Sequence, residues 1–300
     1  MTPIGLALCI LTTICWAIAP ILLRKSLDTF DNTEINAARS VGAIVTSALL
    51  CVIFSPSSFV WEYGLNALGV VFSTMILGNF AGDICYMIAI HNIGVGRALS
   101  TANSYPVFVT LFSVYWLGEA PSLMLLAGTA IIIAGLTFLN CSRKSSVPPS
   151  KKVRSNALGF FMALLTSVMW ALSHTIQKWA LVTYNFEALT VTLWRGILLA
   201  FTAWGFWYFR KNGTERKHIF NVGFKKWLSP CLAGTFGFVV GGIAFTLALK
   251  TTPVSLASPI TATNPVIAAM TARFAFNEHL SPVQWLGIFM VIIGGVVVSS

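Results

Sequence analysis

The chain predicts an all-α integral membrane fold of ten transmembrane helices, arranged as two inverted five-helix repeats. Three observations lead there. Only 9% of the 300 residues are charged, 56% are hydrophobic and the mean hydropathy is +0.81, whereas about 25% of a soluble domain is charged. Apolar stretches recur at 3–23, 34–54, 66–90, 97–117, 121–139, 157–179, 187–209, 228–249, 255–276 and 281–299, each near the roughly 20 residues that a bilayer core requires. Finally, Pro106, Gly118-Glu119, Ser122, Gly128 and Gly135 recur 159 residues later as Pro265, Asn277-Glu278, Ser281, Gly287 and Gly294. A fixed offset of this kind marks internal duplication. Five crossings per copy turn the second copy upside down, and inverted repeats are characteristic of transporters.

Taken in chain order, the first span runs from Pro3 to Leu23 without a charged leader and ends at Arg24-Lys25, so it reads as a retained helix and not a cleaved signal. Most later connections are short. The segment 141–156, rich in Ser, Pro and Lys, is a basic linker that divides the chain into an N-terminal repeat, 1–140, and a C-terminal repeat, 157–300. Connections after odd-numbered spans carry 14 Lys and Arg, while those after even-numbered spans carry only Lys178 and Lys250. The positive-inside rule therefore puts the odd connections in the cytoplasm and both termini outside, in a multi-pass protein of the cell (inner) membrane. The same distribution accounts for the net charge of +10 without a nucleic-acid partner. The six cysteines contain no CxxC pair, and all but Cys141 fall in apolar runs, so they read as buried free thiols.

Polar residues inside such spans are the candidates for function. Asn79, Asp83 and Tyr86 fall at i, i+4 and i+7 of the third span, one stripe holding an amide, a carboxylate and a phenol. Insertion scales put the cost of such a carboxylate at about 2.5–3.5 kcal/mol, so Asp83 is expected to face a partner or a watery cavity. In the sixth span Trp170, His174 and Lys178 repeat the spacing, and His174 is a candidate partner for Asp83 or a protonation switch. Trp16 and Trp170 stand at corresponding depths and suit the walls of a cavity for a partly apolar solute. Asn103 and Tyr105 beside Pro106, and Asn264 beside Pro265, point to kinked helices in which proline frees a carbonyl near polar side chains. Arg39 and Arg195 are near-counterparts, expected at opposite membrane faces, where each would hold an anionic substrate group or a gate or would simply snorkel. Glu119 and Glu278 precede helix starts and read as structural. The spaced glycines let helices approach closely.

The five-plus-five pattern, the Tyr105-Pro106 to Gly118-Glu119 helix, the Glu-x-x-Ser-to-Gly stretch after it and the second copy from Asn264-Pro265 to Gly295 together resemble the drug/metabolite transporter superfamily, specifically EamA-type transporters. The resemblance spans nearly the whole chain. It implies a central cavity between the halves, alternating access, and movement of amino acids, nucleotide-like metabolites or drugs without ATP. Asp83 matches no family motif, so its role rests on the physics of a carboxylate in a membrane. The expected activity is secondary active transport, as exporter or exchanger, of a small metabolite such as an amino acid, by a monomer or homodimer in the lipid bilayer. Coupling to a proton or a counter-metabolite is compatible with Asp83, and no metal or cofactor is implied. A membrane-embedded enzyme is the alternative, but the chain has no HExxH, GxSxG or GxGD motif. A receptor or assembly subunit would need an extramembrane domain larger than these loops.

Overall fold

The computed structural model describes residues 1–24, 26, 29–141, 156–212, 218–275 and 279–299. Most of the expected linker, together with Asn277 and Glu278, lies outside them. The described residues form α1 (Pro3–Arg24), α2 (Asn32–Phe54), α3 (Gly64–Ile93), α4 (Val95–Ala102), α5 (Tyr105–Leu117), α6 (Leu123–Cys141), α7 (Asn156–Tyr184), α8 (Ala188–Arg210), α9 (Phe224–Thr251), α10 (Val254–Thr261), α11 (Asn264–Ala275) and α12 (Pro282–Ser299). Among them, eight helices are long and apolar enough to cross a membrane, which agrees with a multi-pass membrane protein.

The fourth and ninth expected spans are not continuous helices. Each is a pair of shorter ones, α4 with α5 and α10 with α11, broken at Asn103-Ser104 and at Ala262-Thr263. Pro106 and Pro265 therefore do not kink a helix from within. They occupy the first turn of α5 and of α11, where an amide N–H has no intrahelical partner and proline costs no hydrogen bond. Asn264 Nδ2 donates to the Thr261 carbonyl across the second break (3.1 Å), satisfying one of the carbonyls left at the end of α10.

The repeated serines are helix caps. Ser122 Oγ accepts from Leu125 N at 3.0 Å; Ser281 and Gln284 form a reciprocal pair, with Gln284 Oε1 accepting from Ser281 N at 2.8 Å and Ser281 Oγ from Gln284 N at 3.3 Å. At α2 the cap is Asp31, which accepts from the backbone of Thr33 and Glu34 while Glu34 accepts from Asp31 N. Lys211 pairs with the same carboxylate.

Repeated glycines hold α6 against α12. A Cβ on Gly135 would stand 2.7 Å from the Gly287 carbonyl oxygen, and one on Gly128 would stand 2.8 Å from that of Gly294. Position 128 thus lies opposite 294 and 135 opposite 287, so the two helices run antiparallel with backbones in contact. Each of α3 and α9 contains one π-helical stretch, Ile76–Gly82 and Gly234–Val240. Such a stretch adds a residue to a turn and often marks a functional position.

Two predictions follow from this packing. Gly287→Ala should lower the unfolding temperature in detergent by an amount equivalent to ~1–3 kcal/mol of overpacking, whereas Gly295→Ala, whose Cβ meets nothing within 4 Å, should change it little; equal effects would contradict the glycine seam. The Asp31 carboxyl is lowered to about 2: burial raises it, but hydrogen bonds from Lys211, Thr33 and the Glu34 backbone, with the Lys211 charge, outweigh burial. A lowered folded-state value means the cap stabilises fully above the ordinary carboxylate value near 4 and loses that contribution as pH falls through about 2. The stability difference between wild type and Asp31→Asn should accordingly shrink between about pH 4 and 2, and a pH-independent difference would refute the role of the charge.

Candidate functional site

The site grows from the two π-helical stretches. A π turn departs from the usual i→i−4 pairing, and in each stretch an indole from the other half of the chain donates to one carbonyl. Trp16 Nε1 of α1 donates to the Gly237 carbonyl of α9 (3.0 Å), and Trp170 Nε1 of α7 donates to the Gly78 carbonyl of α3 (3.2 Å). Thr12 and Thr166 repeat the exchange one turn away, donating to the carbonyls of Gly241 (3.4 Å) and Gly82 (3.3 Å). Glycine is required along both crossings. A Cβ would come within 2.7 Å of Ser173 at Gly78 and of Ala19 at Gly237, and within 3.0 Å of an indole at Gly82 and Gly241.

Charged groups gather where α3 faces α2 and α8. Arg39 Nη2 donates to Asp83 Oδ2 at 3.2 Å. Arg195 Nη2 donates to Asn79 Oδ1 at 3.1 Å, and its Nη1 donates to Gln177 Oε1 at 3.2 Å. Gln177 Nε2 in turn donates to Thr246 Oγ1 at 3.0 Å, which ties α7 to α9. The two arginines, expected at opposite faces of the membrane, thus direct their guanidinium groups at successive turns of α3. Snorkelling does not describe them: the Nε atoms of both are buried. Asp83 keeps 28% and Arg39 18% of its side-chain exposure.

His174 is not the partner of Asp83. The α7 helix carries it one turn beyond Trp170 into an aromatic group, with ring centroids 4.7 Å from Phe245, 5.3 Å from Tyr105 and 5.8 Å from Trp16, and its Nδ1 is buried without a hydrogen-bond partner. Trp170 continues the lining to Tyr86 at 5.5 Å and Tyr105 at 6.2 Å. The hydroxyl of Tyr105, a residue only 3% exposed, donates to the Ser258 carbonyl and meets Thr261 Oγ1, both at 3.1 Å. It positions α10 against α5. Asn103, also 3% exposed, has a buried Nδ2 without a partner at the break between α4 and α5.

Sequence reasoning missed Gln177, Phe238 and Phe245, which are ordinary residues in a 3.6-residue pattern. It also placed Glu119 too locally. Its carboxylate caps not the helix that follows but α10, accepting from Val254 N at 2.9 Å, Ser255 N at 3.0 Å and Ser255 Oγ at 2.5 Å. Lys178 reaches the other side of the same joint and donates to the carbonyls of Leu249 and Thr252. An acid at a helix start and a cation at a helix end both complement the local dipole.

The EamA-like transporter family profile matches residues 3–141 and again 157–300. The chain belongs to the EamA-like transporter family. An uncharacterized transporter of Archaeoglobus fulgidus is 26% identical over 287 residues, covering 93% of this chain and 92% of its own. A probable 4-amino-4-deoxy-L-arabinose-phosphoundecaprenol flippase subunit ArnE of Pseudomonas fluorescens is 40% identical over 73 residues, which is 24% of this chain and 63% of the relative. A protein of solved crystal structure superposes with a TM-score of 0.78 at 15% identity, covering 98% of this chain and 95% of its own, a likeness of fold alone. The EamA membership and the names of these relatives point to a membrane transporter rather than an enzyme.

If the ion pair orders this site, Arg39→Gln leaves Asp83 uncompensated inside the membrane and should destabilise by several kcal/mol, while adding Asp83→Asn should recover much of that loss. Additive losses in a double-mutant thermal-unfolding cycle would show that the two side chains act separately.

Proposed function

We propose that the chain is a secondary active transporter that moves a small metabolite, such as an amino acid or a related compound, out of the cell or in exchange for another. Ten crossings form two inverted five-helix halves, 1–140 and 157–300, joined by the 141–156 linker, and the substrate binds at mid-membrane between them. The observation that carries this reading is the exchanged indole pairing: Trp16 closes the π stretch of α9 and Trp170 that of α3. Helices of one half are thus built into the walls of the other, around the Arg39–Asp83 pair and the aromatic lining. The antiparallel contact of α6 with α12, equivalent helices in the twice-matched profile, supports the inversion.

In this account the halves rock about the two indole crossings and expose the site to one face at a time. The excess of Lys and Arg in the odd-numbered connections supports a cytoplasmic position for them in the cell membrane. The joint between α9 and α10, held by Glu119 and Lys178, then serves as the outer gate. Asp83 is the group through which a proton or a counter-metabolite is coupled to the cycle. Working as a monomer or a homodimer, the protein needs no cofactor for this motion.

Two experiments test the proposal. In liposomes the purified protein should accumulate or exchange a small metabolite, and Asp83→Asn should impair transport without unfolding the protein; unaltered transport at every pH would remove Asp83 from the mechanism. Ala120→Cys with Pro253→Cys, exposed neighbours of the Glu119 contact, in a background without the native cysteines, should abolish transport when bridged by a short cross-linker and restore it on cleavage. Full activity in the bridged state would exclude the joint as a gate.

A further inference from the structure

The two arginines are near-counterparts in the two halves, 156 residues apart, yet only one has a carboxylate. Arg39 meets Asp83. The residue 159 positions after Asp83 is Gly242, and the one corresponding to Asn79 is Phe238. Arg195 lies over the Phe238 ring, 5.7 Å from its centroid, and reaches Thr246 through Gln177. The Thr246 hydroxyl in turn donates to the Gly242 carbonyl at 2.8 Å. Phe238, Gly242 and Thr246 are spaced by four along α9, so Gly242 sits between the ring that Arg195 covers and the hydroxyl that it reaches through Gln177.

Packing does not require a glycine there. Gly237 and Gly241 are pressed against Ala19 and Trp16, but a Cβ on Gly242 meets nothing within 4 Å. Position 242 therefore has open space about it at the place where the other half carries an aspartate, on the stripe of α9 whose Phe238 lies under the Arg195 guanidinium. Among the described residues no carboxylate lies within ion-pair distance of Arg195; its hydrogen-bond partners are the neutral oxygens of Asn79 and Gln177, and its Nε is buried without one. A buried cation held only by neutral groups is poorly compensated, and the planar fork of a guanidinium is suited to a carboxylate.

We propose that the space beside Gly242 receives the carboxylate of a small organic anion, which pairs with Arg195 as Asp83 pairs with Arg39. Phe245, three residues on, and Trp16, which packs on Gly241 and on Phe245, offer an apolar wall to the rest of the molecule. The assignment rests on the transporter reading of this site and adds to it the charge of the substrate. Asp83 is then the internal carboxylate of one half, and the cargo supplies that of the other.

The test is thermal unfolding of the purified protein with lactate, benzoate and indole-3-acetate, each beside its own uncharged amide. At least one acid should raise the unfolding temperature by several degrees while its amide does not. Arg195→Gln should abolish the shift. Gly242→Asp, which places a carboxylate in the same space, should raise the unfolding temperature without ligand and remove the response, whereas Gly242→Ala should keep it. Should Gly242→Asp fail to fold, the Ala and Gln variants decide alone. Equal shifts from acids and amides, or an acid response that survives Arg195→Gln, would overturn the proposal. Transport of uncharged or cationic solutes with no acid response would refute the anion and leave the transporter standing, while acid binding without any transport would do the reverse.

Discussion

The structure depends on the exchange of indole N–H groups between the two π-helical stretches. Each stretch departs from the regular i→i−4 ladder within an apolar helix, where no lipid group can bond a freed carbonyl, and each receives an N–H donor from a tryptophan of the opposite half of the chain. Neither α3 nor α9 is therefore a finished element within its own half. The threonine pair at Thr12 and Thr166 and the glycines beneath both indoles follow from the same constraint, because the donors reach the carbonyls only if the backbones nearly touch.

Against this symmetric frame the chemistry is asymmetric. One half presents Asn79 and Asp83, the other Phe238 and Gly242, while both keep an arginine that leans toward them. In the proposed cycle the repeated frame rocks between two arrangements, and the broken symmetry in the polar groups is where an asymmetric solute would bind. Glu119 shows the same economy at the rim: it grips a helix start of the other half and so makes the joint sensitive to relative motion of the halves.

Much of the fold was legible in the sequence, since hydropathy alone marks helices that must satisfy their own backbone, and the 159-residue offset ties the copies together. The breaks at Asn103-Ser104 and Ala262-Thr263 were not, because proline at the first turn of a helix and proline inside one look alike in sequence. For the site, Asp83, Arg39, Arg195 and both tryptophans carried a signal, being polar or aromatic residues at corresponding depths. Their partners did not: pairing Asp83 with Arg39 in place of His174 depends on how α2 and α7 cross α3, which periodicity does not encode. Gln177 and Phe245 had no signal, and the role of Gly242 appears only when its surroundings are open in three dimensions.

The central claim, two related halves that open the site alternately to either face, is tested most directly by distances between paired spin labels at both mouths. Glu62 with Lys250 and the counterpart pair His91 with Asn221 are all exposed. The account predicts two populations at each pair, with one distance lengthening as the other shortens when transported solute is added. A single unchanging distance at both pairs, or distances that lengthen together, would contradict it.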